Sequence, residues 1–365
     1  MRSSRQVQVG RVAVGGGAPV SVQTMANVDP HDAAALVAQI ERCAALGCDI
    51  FRLTVPDIEA AAVLGEVKKR SPIPLVADIH FDYKCALAAI ANGTDALRLN
   101  PGNIGGRERV QAVARAAKEK KIPIRIGVNF GSLEKELDAQ VRTGELAVPE
   151  ALCRSALGHL KLLEDEGFRD VVISAKASNV ADTLAVYRLL AERTDCPLHL
   201  GVTEAGTFLP GSVRNSVALG ILLDEGIGDT IRVSLTDQPE KEVRVGMEIL
   251  RALGKKAPGP SITSCPTCGR TKVNLFKVAE EVESELEKVY NSAVQPPTSN
   301  LQPRSFPHVA VMGCVVNGPG EAKGADIALC GGDGEFLLYV KGKMVGKVSE
   351  ADAARKVMEH VLVSQ

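Results

Sequence analysis

Three cysteines and a glutamate in the last third of the chain have the types and spacing for metal or redox chemistry. Cys265-Pro-Thr-Cys268 sets two thiols within reach of one centre, and Cys314 opens a run that ends Asn317-Gly318-Pro319-Gly320-Glu321. A Cys-x-x-Cys pair alone serves a zinc half-site, a redox pair or half of an iron–sulfur site. A third cysteine at a strand end, before a Gly/Pro turn whose backbone can approach a cluster and donate N–H groups to its sulfurs, favours a [4Fe-4S] cluster. Three thiolates then serve three irons. Glu321, seven residues beyond Cys314, supplies a harder, more replaceable oxygen ligand to the fourth. Such an iron can exchange its ligand for a substrate oxygen. A structural zinc site made of Cys265, Cys268, Cys314 and Cys330 is the competing reading. Cys43, Cys48, Cys85, Cys153 and Cys196 fall in or near helix-like stretches and read as packing residues.

A second set of chemically capable residues lies on the wrong face of strand-like runs. Alternate residues of a strand face opposite sides. Arg52 and Thr54 oppose Phe51, Leu53 and Val55, while Arg98 and Asn100 oppose Leu97 and Leu99. Arg125, Gly127 and Asn129 oppose Ile124, Ile126 and Val128; Arg232, Ser234 and Thr236 oppose Ile231, Val233 and Leu235. Ser174 with Lys176, Asp78 with His80, and His199 with Thr203 follow the same rule. Asp78 and Glu204 can neutralise two of these cations, but four arginines and Lys176 outnumber the evident acids. Uncompensated cations in a closed pocket are costly. Guanidinium forks match phosphate oxygens, so a phosphate- or diphosphate-bearing substrate is expected there. No GxxxxGK[ST] or strand-borne GxGxxG is present to suggest nucleotide binding.

The elements that must position these residues follow from periodicity. Strand-like runs at 20–25, 50–55, 75–80, 96–100, 122–129, 171–178, 198–203 and 230–236 alternate with helix-like stretches such as 32–46, 58–70 and 106–121. Eight βα units in roughly 250 residues predict a TIM (β/α)8 barrel, with chemistry at the C-terminal strand ends. Residues 6–14 read as a hairpin that plugs the barrel bottom, and 131–149 is longer than a usual βα connection. The Gly/Pro/Ser-rich run 255–264 reads as a linker. It divides a barrel domain, 1–256, from a small α+β iron–sulfur domain, 257–365. The latter carries a long helix at 272–294, a Pro-rich loop at 291–307, and strands at 308–313, 325–329, 336–341 and 343–348. A last helix follows, started by Ser349 with Asp352.

Composition limits the partners. Lys+Arg number 43 against 44 Asp+Glu, a net charge of −1, which argues against nucleic-acid or membrane-surface binding. The opening residues have no apolar core of signal-peptide length, and no run of about 18 apolar residues occurs. Nine cysteines in such a chain point to a reducing, cytoplasmic setting.

The segments VSVQTMAN, FRLTVP, VADIHFDY, ALRLNPGNIG, IRIGVN, HLGVTEAG, IRVSLT, SCPTC and GCVVNGPGE together resemble the family of 4-hydroxy-3-methylbut-2-enyl diphosphate synthases, in its two-domain bacterial form. The resemblance implies reductive opening of 2-C-methyl-D-erythritol 2,4-cyclodiphosphate, with electrons arriving singly from flavodoxin or ferredoxin. It implies cluster ligands at Cys265, Cys268, Cys314 and Glu321. It places the substrate diphosphate at Arg52, Arg98, Asn100, Arg125, Asn129, Lys176, His199, Arg232 and Ser234. Glu204 matches an acid beside the substrate hydroxyls, and Asn317 a residue near both cluster and ligand. A head-to-tail homodimer is implied, the cluster domain of one subunit closing over the barrel of the other. The Pro-rich stretch at 291–307 is longer than the resemblance leads one to expect. The runner-up is another TIM-barrel transferase of the pterin-dependent type, with a redox or zinc appendage.

Overall fold

The computed structural model describes residues 2–256, 261–293 and 307–363; most of the Pro-rich loop expected at 291–307, and 257–260 of the expected linker, lie outside the described residues. After Lys256 the chain divides into two compact units.

The first unit opens with a hairpin of β1 (Val7–Val9) and β2 (Val12–Val14). Strands and helices then alternate: β3 (Ser21–Met25), α1 (Ala33–Ala45), β4 (Ile50–Thr54), α2 (Ile58–Arg70), β5 (Leu75–Asp78), α3 (Tyr83–Ala91), β6 (Ala96–Leu99) and α4 (Arg107–Lys120). β7 (Ile124–Asn129) leads through a 3-10 turn and α5 (Lys135–Arg142) to α6 (Val148–Glu164). β8 (Val171–Lys176), α7 (Val180–Arg193), β9 (His199–Leu200), α8 (Phe208–Asp224), β10 (Thr230–Ile231) and α9 (Pro239–Ala252) complete the unit. Strands β3 to β8 pair in sequence, all parallel, and β10 joins β3 to β9. An isolated bridge between Ile173 and Leu198 closes the ring. The result is a TIM barrel with its helices outside.

Local chemistry sets the helix starts. The Asp32, Asp57 and Asn179 side chains accept the N–H of Ala35, Ala60 and Asp182, satisfying donors that the first turn leaves open. The apolar strand parity, including Phe51, Leu53, Leu97, Ile124 and Ile126, packs against the helices in one core. At the barrel bottom Val7, Val9 and Val14 of the hairpin meet Ile50, Val76, Ala96 and Val172, which seals that end with apolar surface.

The pattern misplaces two strand ends. Runs expected at 198–203 and 230–236 contribute only two ladder residues each, at β9 and β10. Beyond them side chains share the backbone donors with main-chain carbonyls: Thr203 N–H reaches Ala177 O and Arg232 N–H reaches Leu200 O (3.0 Å each), while Val202 N–H reaches Asn215 Oδ1 (3.4 Å) and Leu235 N–H a Glu242 carboxylate oxygen (2.9 Å). The long connection after β7 holds α5, whose helical register the 131–149 reading missed.

The second unit is a five-stranded sheet: β11 (Ser261–Ser264), β12 (His308–Met312), β13 (Ile327–Gly331), β14 (Glu335–Val340) and β15 (Lys343–Ser349), in that order. The first three strands are parallel and the last pairings antiparallel. Ser261–Ser264, expected as linker, therefore belongs to the sheet. Helices α10 (Leu275–Ala293) and α12 (Ala353–Val363) cover one face through Val278, Val282, Val357 and Val361. The short α11 (Gly318–Gly324) packs Ala322 on the other, beside Ala310, Met312 and Cys330. The Ser349 hydroxyl accepts the Asp352 N–H (3.2 Å) at the turn into α12.

Phe336 is fully buried between sheet and helices of this small unit. Phe336→Ala should cost about 4 kcal/mol there, a large share of the roughly 5–15 kcal/mol that holds a domain folded. Calorimetry should show a low-temperature transition for this unit while the barrel transition stays in place; a single unshifted transition contradicts the assignment of separate cores.

Candidate functional site

The polar strand parity converges on a cavity at the C-terminal strand ends. About 440 Å³ of space is lined by Arg52, Arg98, Arg125, Gly127, Val128, Asn129, Ser174, Lys176, Thr203, Arg232 and Ser234. Register explains the convergence. Asp78, Arg98 and Arg125 are partners across β5, β6 and β7, and Asn129 pairs with Lys176 across β7 and β8, so each set projects to the same side. Two glycines make room. A Cβ on Gly127 would sit 2.2 Å from Arg98 Nε, and one on Gly201 would sit 2.7 Å from Lys176 Nζ.

The charges do not balance. Arg98 Nη1 pairs with Asp78 (3.1 Å), and Arg52 Nε stands 3.6 Å from the same carboxylate. Arg232 faces Glu242 (3.4 Å). Arg52 otherwise donates to the Met25 thioether, a weak acceptor (2.7 and 3.1 Å). Arg125 is buried. It donates to Gln23 Oε1 and, at 3.1 Å, to His199 Nδ1, while its Nη2 has no partner among the described residues. Among the described residues Lys176 has no carboxylate within salt-bridge distance; its nearest charges are mostly cations. The consequences are consistent in sign. Burial and the neighbouring cations pull Arg52 down to about 10 despite Asp78. Burial, with Arg232, Arg52 and Arg125, holds Lys176 well below the lysine range. Burial, then Arg125 and Lys176, keeps His199 well below the usual histidine value, hence neutral, with Nδ1 as acceptor. Burial alone would raise Asp78, but Arg52 and Arg98 more than offset it and hold the carboxyl low.

The expected site residues sort into distinct places. Arg52, Arg98, Arg125, Asn129, Lys176, Thr203, Arg232 and Ser234 line the cavity. Asp78 and His199 sit buried behind the arginines as counter-ion and neutral acceptor. Asn100 is buried and accepts the Gly102 N–H (3.0 Å), bracing the loop after β6. His80 is half-exposed, 3.8 Å from Asp78. Glu204 is exposed and takes a left-handed backbone (φ 52°) after β9, outside the lining. The second counter-ion is Glu242, not Glu204. Sequence reasoning missed Glu242, Gln23 and Met25. Gln23 and Met25 share one parity of β3, a signal that was there to read; Glu242 looks like an ordinary acid in a first helical turn.

In the second unit, Cys265 and Cys314 follow the ends of the adjacent parallel strands β11 and β12. The Gly313 N–H points at Cys265 Sγ (3.3 Å). The backbone N–H groups of Asn317 and Val316 hold the Cys314 thiol below its usual value. Thr267, between the paired cysteines, adopts φ 63° and folds the Cys-x-x-Cys turn. Cys268, Asn317 and Glu321 are exposed, Glu321 in the first turn of α11. Among the described residues no three His, Cys, Asp or Glu side chains lie close enough to hold a metal ion. The donor chemistry nevertheless suits an iron–sulfur group: soft thiols, backbone N–H groups turned to sulfur, and one carboxylate in the helix that follows Cys314. Anionic ligands converge fully only around a cation that offsets their repulsion. Cys330 is buried, its thiol pushed up to about 11 by burial, which suits packing rather than ligation. Cys43, Cys48, Cys85, Cys153 and Cys196 are likewise buried.

A TIM barrel whose mouth gathers underpaired cations, followed by an α+β unit that presents thiols at neighbouring strand ends, defines a class of barrel oxidoreductases acting on anionic substrates. Residues 4–247 match the GcpE TIM-barrel domain and residues 261–362 the GcpE protein C-terminal domain, so this chain belongs to the GcpE family. The 4-hydroxy-3-methylbut-2-en-1-yl diphosphate synthase (flavodoxin) of Geobacter sulfurreducens is 53% identical over 358 residues, spanning 98% of this chain and 97% of that protein. The protein of the same name from Clostridium acetobutylicum is 51% identical, spanning 98% of each. The dihydropteroate synthase of Xanthomonas albilineans is similar to 69% of this chain over 98% of its own, with 16% identity and a TM-score of 0.49. No helix among the described residues is long and apolar enough to cross a membrane.

Lys176 gives a pH signature. With only the protein's own charges around it, its ammonium loses the proton below the usual lysine range; a bound anion favours the ammonium and raises that value. Binding of inorganic pyrophosphate should therefore take up a proton at pH values between the two, and affinity should fall as pH rises through the ligand-free value. Calorimetric titration in buffers of different ionisation heat tests this; heats independent of buffer on the alkaline side contradict it.

Proposed function

We propose that this chain reductively opens 2-C-methyl-D-erythritol 2,4-cyclodiphosphate to (E)-4-hydroxy-3-methylbut-2-enyl diphosphate, taking electrons from flavodoxin or ferredoxin, as a step of isoprenoid synthesis. The observation that carries this reading is the cavity in which Arg52, Arg98, Arg125, Lys176 and Arg232 outnumber Asp78 and Glu242. Near-full-length relatives that share this enzyme name support it. The pterin-type alternative is not favoured, since both halves of the chain match the GcpE family.

In this reading Cys265, Cys268 and Cys314 would hold a [4Fe-4S] cluster, with Glu321 as an exchangeable oxygen ligand. Bound there, such a cluster supplies single electrons. The chain's own residues do the rest. The guanidinium groups and Lys176 grip the two phosphates, with Asn129, Thr203 and Ser234 as neutral donors around them. When the substrate C2–O bond to phosphate breaks, negative charge grows on the departing oxygen, and the fixed cations stabilise it without rearranging. His199, neutral and tied to Arg125, holds that guanidinium in register. The C3 hydroxyl leaves as water, so two electrons and one proton are consumed; Glu204 is the proposed proton source. Asn317, which caps the start of α11, borders the Cys314 thiol through its backbone N–H. A homodimer and a cytoplasmic setting, where thiols stay reduced, belong to the same proposal.

Turnover of the cyclodiphosphate by anaerobically reconstituted protein with reduced flavodoxin is the direct test. No product under those conditions, with a cluster present by its visible absorption, overturns the reading. Glu321→Ala should keep most of that absorption and lose at least about a hundredfold in kcat, the scale of one removed catalytic group. Full turnover in that variant refutes its role.

A further inference from the structure

We infer that Glu242, the buried carboxylate in the first turn of α9, is a positioning residue that aims the Arg232 guanidinium into the cavity; this rests on the reading of that cavity as a diphosphate site. The geometry is a four-way lock. One carboxylate oxygen accepts the Thr24 hydroxyl of β3 (2.6 Å) and faces Arg232 Nε (3.4 Å). The other accepts the Leu235 N–H (2.9 Å) and faces Arg232 Nη2 (3.4 Å). Glu242 is 3% exposed, so its charge is held by these partners and by the N-terminal end of α9 rather than by water.

Two consequences follow. The Nε/Nη2 edge of Arg232 is held side-on, which fixes the plane of the guanidinium and leaves the Nη1 donors for a ligand. The same carboxylate also pins the 232–235 segment just where β10 leaves its ladder. Without it the Arg232 N–H still bonds Leu200 O (3.0 Å), but the guanidinium loses the partner that fixes its direction. Misaligned donors at an anion site lose binding out of proportion to their displacement.

A plain counter-ion would behave in the opposite way. If Glu242 served only to offset charge, neutralising it would leave the cavity more positive and tighten anion binding. If it positions Arg232, neutralising it weakens binding although the field favours the anion. The sign of one measurement therefore separates the two roles. A second readout separates both from mere packing. Lys176 is faced by Arg232, Arg52 and Arg125, and Glu242 is the carboxylate that favours its charged form. Removing the Glu242 charge should move the alkaline limb of anion binding to lower pH.

The experiment is a double-mutant cycle on the full chain, with inorganic pyrophosphate as probe and calorimetry as readout. Glu242→Gln keeps the volume and one acceptor. It is expected to bind about tenfold more weakly, the scale of one charge-assisted hydrogen bond lost, and to show the earlier alkaline limb. In an Arg232→Met background the same substitution should have little further effect, because the residue it positions is gone. Equal or tighter binding by Glu242→Gln overturns the inference, as does an undiminished loss in the Arg232→Met background. If Glu242→Gln fails to fold, Thr24→Val loosens the same carboxylate without removing its charge. It should weaken binding in the same direction, and unchanged binding there overturns the inference. Absence of pyrophosphate binding by the unaltered chain would instead defeat the underlying diphosphate reading, and the inference with it.

Discussion

Positive charge confined in a sheltered cavity with too few counter-charges governs this molecule. A guanidinium or ammonium in low dielectric is tolerable when paired and costly when not. Asp78 is shared by Arg52 and Arg98, and Glu242 is committed to Arg232, while Arg125 and Lys176 feel these carboxylates only at a distance and are faced mainly by neutral groups and other cations. The fold holds these charges because strand register leaves them nowhere else to point, and because the apolar parity of the same strands is committed to the helices. The depressed proton affinities of Lys176 and Arg125 report the resulting tension. A ligand carrying two or more negative charges relieves it.

Most of this was legible in the sequence, for a physical reason. Strict alternation of Arg or Lys with Ile, Val or Leu has one reading in a barrel, because only one parity can face the helices. Asp78, Arg98, Arg125 and Lys176 came out of that rule directly. What stayed hidden depends on contacts far apart in the chain. Glu242 meets Thr24 across 218 positions, and nothing in a helical Pro-Glu-Lys-Glu segment announces that it will be buried. The runs at β9 and β10 read as longer strands because an apolar/polar alternation persists after the regular ladder stops, where Asn215 and Glu242 take some of the backbone donors and strand neighbours keep the others. The strand Ser261–Ser264 was lost in a Gly/Pro/Ser-rich run, since pairing with β12 outweighs its weak local preference.

The two chemistries are laid out on the two units by different means. The barrel fixes its cations by ladder register, which tolerates little displacement. The second unit fixes its thiols by turns: the left-handed Thr267, the N–H groups after Cys314, and the Gly313 N–H on Cys265. Gly313 admits no side chain, since a Cβ there would stand 2.7 Å from Thr271 Oγ1. Backbone donors turned toward sulfur stabilise thiolate, the form that binds metal.

The early exit of β9 and β10 from their ladders divides the cavity into two mechanically unlike jaws. Strands β4 to β8 form a stiff jaw, cross-braced by continuous backbone pairing. The opposite jaw, which carries Thr203, Arg232 and Ser234, is held by fewer backbone bonds, Thr203 N–H to Ala177 O and Arg232 N–H to Leu200 O, supplemented by the Asn215 and Glu242 side-chain braces. For a ligand that changes shape while bound, as any ring does when it opens, that asymmetry lets one side keep its grip while the other follows.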